Sequence, residues 1–483
     1  MIPRLLNFVI LTPYYTRIFE PFEYGIITEL YAYIIVLQVL LTYGMETGYF
    51  RFSRDQNKNG KIYSIIQTSV LSTSILFIIF IFLFGRSIAN LLNYQNRVFL
   101  IYAVGLIVSL DAFSSIPFAK LRMKGKAMKF AMIKIINVVI TLLLVFFFLS
   151  FLPVHCLKNT SSFLCALYNP VLKVEYIFIA NIIASFSIII LLYKEISDAE
   201  IHCEMKIFSE LLRFSLPVLL AGIGGSLTDA MDRILLKHLI TDGSDAMYQL
   251  GIYGANIKLS VIMMLFVQMF RYAAEPFYFD NMYDNNTKKL YADVMKVFVF
   301  IGMIIFLVVL LNLNIFKLFI GRNYYDGLKI VPIVMMSYLF IGIQNNGSIW
   351  YKISKKTMVG VYITSLGIFM TFVFNYLLVP KYSYYGAAIT RLLSFGLMAF
   401  FTIYFGNKRY FIPYNWGSIL IIMFSSIIIY ILFSIFNLQE DKYWFIFSNG
   451  LIIMYIFIIL KLDKNLRSEF FKFFKYDRNK NYQ

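Results

Sequence analysis

The chain has 483 residues, 60% hydrophobic and 18% aromatic, with only 14% charged. A water-soluble protein of this length needs far more polar surface, so a soluble globular class is excluded. The formal charge of +18 sits in short gaps between apolar runs rather than on one basic face, which argues against nucleic acid as partner and for anionic phospholipid at a bilayer surface.

Apolar segments long enough to cross a bilayer recur about fourteen times, so the chain reads as an all-α integral membrane protein. The first, Ile2 to Tyr15, is short and contains Pro3, Arg4 and Pro13. It is either the end of a helix that starts upstream or a half-span packed against its neighbours. With neither a basic leader nor a small-residue cleavage site, no cleavable signal peptide is expected. Spans then follow at Tyr24 to Met45, Tyr63 to Phe84, Val98 to Ala119, Phe130 to Leu152, Val174 to Tyr193 and Leu211 to Leu236. The glycine-rich Ala221-Gly222-Ile223-Gly224-Gly225 lies inside an apolar span, where small residues permit tight helix contact or a bend. Ile252 to Phe270, Val294 to Ile320, Ile330 to Tyr351, Met358 to Val379 and Gly386 to Phe405 come next. The last two, Gly417 to Phe436 and Tyr443 to Leu460, hold almost no polar residues and are expected to face lipid or pack loosely. Behind them Phe470, Phe471, Phe473 and Phe474 alternate with Lys472, Lys475 and Arg478, as in an interfacial amphipathic segment or a disordered basic tail.

Basic residues crowd alternate gaps and set the orientation. One set holds Arg51, Arg54, Lys58 and Lys61, then Lys120, Arg122, Lys124, Lys126 and Lys129, then Lys352, Lys355 and Lys356, then Lys408 and Arg409, and the tail from Lys461 to Lys480. The other gaps are sparse, which places the first set and the C-terminus in the cytoplasm. Cys156 and Cys165 share the longest outward gap, in an oxidising compartment, where they either pair or stay free; Cys203 faces the reducing side.

An internal repeat carries the reading from membrane protein to transporter. Glu23-Tyr24-Gly25-Ile26 opens the second span and Leu250-Gly251-Ile252-Tyr253 the eighth. Tyr15-Thr16-Arg17-Ile18 is mirrored by Met231-Asp232-Arg233-Ile234, and Lys126-Ala127-Met128 by Lys356-Thr357-Met358, at an offset of roughly 220 to 230 residues. Six spans, an even number, separate the copies, so the repeats are parallel, as in two-lobed transporters whose halves rock around a central site. The expected division is a first lobe at 1–195, a second at 196–406, an additional helix pair at 407–460 and a basic cytoplasmic tail at 461–483.

Ionisable residues inside spans are where function is expected, because charge at membrane depth must face water, a partner or a substrate. The first half offers Arg4, Arg17, Glu29, Glu46, Asp111 and Lys134; the second offers Asp229, Asp232, Arg233, Lys258, Arg271, Glu275 and Arg391. Glu46, Arg51, Arg271 and Glu275 sit near span ends, where they either snorkel or serve the cargo. Asp229, Asp232 and Arg233 fall within one helical turn, so the trio either neutralises itself or couples an ion. The only histidines, His155, His202 and His238, lack metal-pair spacing, and no phosphate loop occurs, so neither an enzyme, a metal site nor an ATP-driven pump is expected.

The segments Asn7-Phe8, Thr12-Pro13-Tyr14-Tyr15-Thr16-Arg17, Glu23-Tyr24-Gly25 and Tyr43-Gly44-Met45-Glu46-Thr47 with Phe50-Arg51-Phe52 resemble the Wzx-type polysaccharide flippases of the multidrug/oligosaccharidyl-lipid/polysaccharide superfamily. Asp232-Arg233, Gly251-Ile252-Tyr253 and Arg271-Tyr272-Ala273-Ala274-Glu275-Pro276-Phe277 are similar to that family's second-half signatures. The resemblance implies two six-helix lobes in a V around a central cleft plus two C-terminal helices. It implies a bacterial inner-membrane flippase that moves undecaprenyl-diphosphate-linked oligosaccharide to the periplasmic leaflet for capsule, O-antigen or exopolysaccharide, working with a polysaccharide polymerase and chain-length machinery. No cofactor is implied beyond a coupling proton or sodium ion. On this reading Arg4, Arg17, Arg51, Lys258 and Arg271 line the path for the diphosphate, while Glu29, Glu46, Asp229, Asp232 and Glu275 balance charge or carry the coupling ion. Tyr31, Tyr33, Gln344, Asn345 and Asn346 would meet the sugars. The alternatives are a lipid II flippase, a drug or cation exporter of the same superfamily, which would want an acidic cleft, and an outward-acting polymerase, which would need an outward catalytic loop.

Overall fold

The computed structural model describes residues 6–53, 59–159, 162–200, 204–280, 287–354, 356, 358–436 and 443–470. Among these, all regular structure is helical, as the lack of water in a bilayer core demands of any open chain. The short α1 (Thr12–Ile18), preceded by a π-turn over Asn7–Leu11, leads to α2 (Pro21–Thr42), α3 (Met45–Phe52), α4 (Asn59–Leu91), α5 (Val98–Met123) and α6 (Ala127–Phe146). Through a π-turn at Phe147–Phe151, α6 continues into Leu152–Lys158. Next come α7 (Lys173–Leu191), α8 (Met205–Leu239), α9 (Gly243–Leu259), α10 (Val261–Asp280), α11 (Thr287–Leu311), α12 (Val331–Gly347), α13 (Met358–Arg409), α14 (Trp416–Ile435) and α15 (Trp444–Leu462).

Eleven of the described helices are long and apolar enough to span a membrane, and α9 with α10 make a twelfth if that pair, bent by 49°, is one span. The difference from the expected number lies in three places: the short first segment, the bent pair, and α13, where two expected spans form one 52-residue element. That element reverses at Ser383, whose φ of 48° and ψ of −133° are not helical. In a straight helix Gly367 and Met398 would stand about 46 Å apart. Instead a Cβ on Gly367 would meet Met398, and Ile363, Phe395 and Met398 share one apolar cluster, so the two arms run antiparallel.

The contacts divide the chain into two compact units, residues 1–14 with 26–230 and residues 15–25 with 231–483. The division falls inside α2, after Gly25, and inside α8, after Ala230. In unit 1, α5 packs on α4 and α7, and α6 packs on α7. The end of α5 is set by Gly125, whose φ of 68° lets the chain turn back so that Lys126 N–H reaches the Leu121 carbonyl at 2.9 Å. In unit 2, α12 packs on both α13 and α10, and α11 on α12, α14 and α15.

The segment 15–25 is a built part of unit 2. Arg17 Nη2 donates to the Leu318 carbonyl at 3.1 Å, Tyr324 Oη to the Phe19 carbonyl at 2.7 Å, and Asn323 Nδ2 to Glu20 Oε2 at 2.9 Å. Gly25 and Gly251, the matching glycines of the repeat, lie against one another's helices: a Cβ on Gly25 would strike the Met247 carbonyl, and one on Gly251 the Pro21 carbonyl. Small residues let two backbones approach this closely within a membrane. The C-terminal pair is tied to unit 2 through Asp463, which follows α15 and accepts from Lys296 Nζ at 3.0 Å and Ser418 Oγ at 2.5 Å.

Candidate functional sites

Within unit 1, α2 carries Glu29 to a fully buried position. A buried carboxylate needs donors, and two phenols supply them: Tyr33, one turn later, donates to Oε1 at 3.1 Å, and Tyr94 donates to Oε2 at 2.5 Å. Tyr94 is aimed by the turn that closes α4, where Asn93 takes φ 59° and Tyr94 N–H reaches the Ala89 carbonyl at 2.7 Å. Beyond it Arg97 stands 3.9 Å from Glu175, which is buried at the start of α7.

A second polar group occupies the middle of unit 1. Asp111 of α5 accepts from Ser185 Oγ of α7 at 2.8 Å, and Asn181, one turn earlier on α7, donates to the Tyr31 hydroxyl at 3.0 Å. Lys134 of α6 lies close enough to act on the Asp111 charge, and its ammonium sits 4.1 Å from the Phe118 ring centre.

Within unit 2 the centre is Asp232 with Arg391, each side chain 1% exposed and joined at 3.0 Å. Tyr253 donates to the same carboxylate at 2.5 Å and the Arg233 backbone N–H to its other oxygen at 2.8 Å. The Arg391 guanidinium carbon lies 4.9 Å from the Tyr338 ring centre and 5.2 Å from the Phe395 ring centre, within cation–π range of both, while Nη1 is hydrogen-bonded to Asp232. Of the acidic and basic trio on α8, Asp232 therefore has its closest ionic partner on another helix rather than in Arg233, whose Nε is 3.8 Å away. Asp229 is half-buried on the same helix.

The other expected residues fall as follows. Arg4 lies outside the described residues. Arg17, in unit 2, is exposed and holds a backbone carbonyl; Arg51, in unit 1, is exposed and lies 4.1 Å from the Phe214 ring centre. Lys258 is exposed at the end of α9, and Arg271 is half-buried beside Tyr272. Glu46 pairs with Arg122, and Glu275 with Lys352 at 2.5 Å, all four side chains partly exposed at helix ends. Asn346 is buried and accepts from Tyr278 Oη at 3.1 Å, whereas Gln344 and Asn345 keep partial exposure. Cys156 and Cys165 are joined in a disulfide with Cα atoms 5.4 Å apart. Among the described residues no group of three His, Cys, Asp or Glu side chains is placed to hold a metal.

At the basic end of unit 1, Lys120 donates to Asp198 at 2.9 Å and Lys129 to Glu195 at 2.7 Å. Asp198 lies beyond the spans, and the Lys120 hydrogen bond holds its carboxyl below the usual carboxylate range.

Reading the residues alone singled out Arg391, Asp111 and Lys134 as charges at depth without giving them partners, met Tyr253 only as part of the repeat and the family signature, and passed over Tyr94, Asn181 and Ser185. The available signal was polarity inside an apolar run; the partner in each case comes from another helix.

Residues 1–282 match the family described as polysaccharide biosynthesis protein. The capsular polysaccharide biosynthesis protein CapF of Staphylococcus aureus is 26% identical over 362 residues, 71% of this chain and 82% of CapF. Among solved structures, the lipid II flippase MurJ in an inward closed conformation superposes with a TM-score of 0.71 at 14% identity, over 95% of this chain and 96% of MurJ. An inward-facing multidrug resistance MATE family transporter of the MOP superfamily gives 0.62 at 13% identity, over 84% of this chain and 94% of the transporter. At these identities the structural likenesses establish the fold alone, an all-helical architecture shared with these two proteins.

Proposed function

The chain belongs to the polysaccharide biosynthesis protein family, and on that premise we propose that it carries undecaprenyl-diphosphate-linked oligosaccharide from the cytoplasmic to the periplasmic leaflet of a bacterial inner membrane, for capsule or another surface polysaccharide. One observation carries the reading: a polysaccharide-family chain has the fold of a flippase over 95% of its length. A transporter architecture in polysaccharide assembly leaves the lipid-linked intermediate as its natural cargo. The physical problem is the headgroup. A diphosphate with about two negative charges does not cross hydrocarbon unaided, and charged donors at membrane depth replace its hydration. Of the expected cations Arg17, Arg51, Lys258 and Arg271 retain exposure, and with Arg17 holding the Leu318 carbonyl the other three are the candidates to meet it.

Asp232 is a poor acceptor for a coupling proton or sodium ion, because Arg391 already neutralises it at 3.0 Å. Coupling, whether to an ion gradient or to membrane potential, falls instead to Glu29 of unit 1. The likeness to MurJ favours, as a second reading, lipid II as cargo; the kinship with CapF weighs toward a capsule-type glycan.

The test is to delete the gene in its native host and extract polyprenyl-diphosphate-linked glycans, with complementation by wild type, Lys258→Ala or Arg271→Ala. Accumulation of complete units on the cytoplasmic side with loss of surface polysaccharide is the expected result, restored by wild type and not by the variants. Complete but unpolymerised units outside would place the protein after translocation and defeat the proposal.

A further inference from the structure

The group of Asp111, Lys134, Asn181, Ser185 and Tyr31 is more than internal glue. On α6 the exposed apolar stripe is Met132, Ile136, Val139, Leu143 and Phe146, and Lys134 stands roughly 120–200° around the helix from it. On α7 the exposed residues are Ile183, Phe186 and Ile190, with Asn181 and Ser185 roughly 100–200° away. Both helices therefore turn these polar groups from the lipid-facing side. Ser185 is buried, yet Asp111, Lys134, Asn181 and Tyr31 each keep partial exposure. Charged groups that lie inside spans, are turned from the exposed apolar stripes and still keep partial exposure call for water or a polar ligand rather than lipid, and the recess they would line lies within unit 1.

The chemistry of the recess narrows its ligand. Asp111 accepts, Lys134 donates, the Asn181 amide and the Tyr31 hydroxyl do both, and the two charges cancel. Such a lining offers no net field to a phosphate or a free cation, whereas it matches a neutral group that presents several hydroxyls in fixed directions. The Tyr31 ring, stacked at 5.8 Å and 28° on Phe178, adds the flat apolar face on which a pyranose ring rests.

We propose that this recess is a glycan subsite, holding a neutral, hydroxyl-rich sugar of the lipid-linked cargo during passage. The assignment rests on the flippase reading above, and the experiment separates the two. Lipid-linked material accumulated in the deletion strain is treated with mild acid, and the released glycan is titrated against the purified full-length protein in detergent, beside undecaprenyl diphosphate without sugar. Asn181→Ala and Asp111→Asn are expected to weaken glycan binding at least about tenfold and to leave binding of the sugar-free diphosphate within about twofold. Tyr31→Phe, which keeps the ring, is expected to cost about threefold with an unchanged unfolding midpoint, and it carries the test if the other variants do not fold. Unchanged glycan binding, or equal loss for both probes, overturns the subsite and leaves the flippase standing. Absence of any accumulated lipid-linked glycan overturns the flippase reading and the subsite with it.

Discussion

Removing the guanidinium of Arg391 should unseat unit 2 more than any other single side-chain change. Arg391 and Asp232 are each 1% exposed and meet at 3.0 Å, so Arg391→Met, which preserves the stem, leaves a carboxylate buried without its cation. The tyrosine hydroxyl at 2.5 Å, one backbone N–H and the Arg233 guanidinium at 3.8 Å remain as partners, but the first two carry no charge and the third is too distant to hydrogen-bond, so the charge is only partly offset. Breaking one side of such a pair costs about 3–5 kcal/mol, most of it from the stranded ion rather than from the lost bond. Asp232→Asn strands the guanidinium in turn, although the Tyr338 and Phe395 rings within cation–π range cushion it, so a smaller cost of about 2–3 kcal/mol is expected. The double variant removes both charges of the pair, leaving the part-buried Arg233 nearby, and should be destabilised by much less than the sum, giving a coupling energy of about 2–4 kcal/mol in a double-mutant cycle. Denaturant titration of the detergent-solubilised protein, followed by tryptophan fluorescence, supplies the three differences. Additive effects, or an Arg391→Met cost below about 1 kcal/mol, would refute the argument that this pair is a desolvated ionic unit.

Other perturbations test other levels of the structure. Gly25→Ala or Gly251→Ala drives a methyl into a backbone carbonyl and should cost about 1–3 kcal/mol or more, read as a lowered unfolding midpoint; wild-type stability would mean that the two helices are not in contact. Ser383→Gly relieves a positive φ at the reversal of α13 and should stabilise by about 1 kcal/mol in the same titration. Cys156→Ser opens a bridge spanning nine residues of sequence separation and should cost about 2–3 kcal/mol; in intact cells a thiol-reactive maleimide should label Cys165 in that variant and neither cysteine in the wild type. Because the folded Asp198 carboxyl titrates below its unfolded value, its contribution is fully present above the unfolded carboxylate pKa and is lost as pH falls through the folded one. Acid titration of Asp198→Asn should thus show a slightly shallower fall in stability below about pH 4, by a few tenths of a kcal/mol for a group this exposed.

How much of this was legible beforehand depends on the range over which each interaction acts. Spans are written in one dimension by hydropathy, and even the reversal of α13 shows as Pro380 and a polar gap between two apolar runs. The repeat at Gly25 and Gly251 was readable as a register, though not as a contact, since sequence spacing does not say which backbones approach. Arg391 was conspicuous as a charge in an apolar run, but its partner lies 159 residues away and the three acids nearer in kind gave no reason to prefer Asp232. The same holds for Glu29, whose second phenol comes from a turn 65 residues on. Asn181 and Ser185 are ordinary polar residues in a helix, and only the angle between their face and the exposed stripe marks them out.

The docking of residues 15–25 into unit 2 also has a consequence in time. Arg17 and Leu318 are 301 residues apart, so at a synthesis rate of about 5–20 residues per second the segment 15–25 waits roughly 15–60 s for its seat to be made. Throughout that interval the Leu318 carbonyl, the Asn323 amide and the Tyr324 hydroxyl that it will use have not yet been made. Residues 15–25 must therefore wait in the membrane without their final contacts until Leu318 and its neighbours are translated, and a nascent chain stalled before Leu318 would present that segment unseated to quality control.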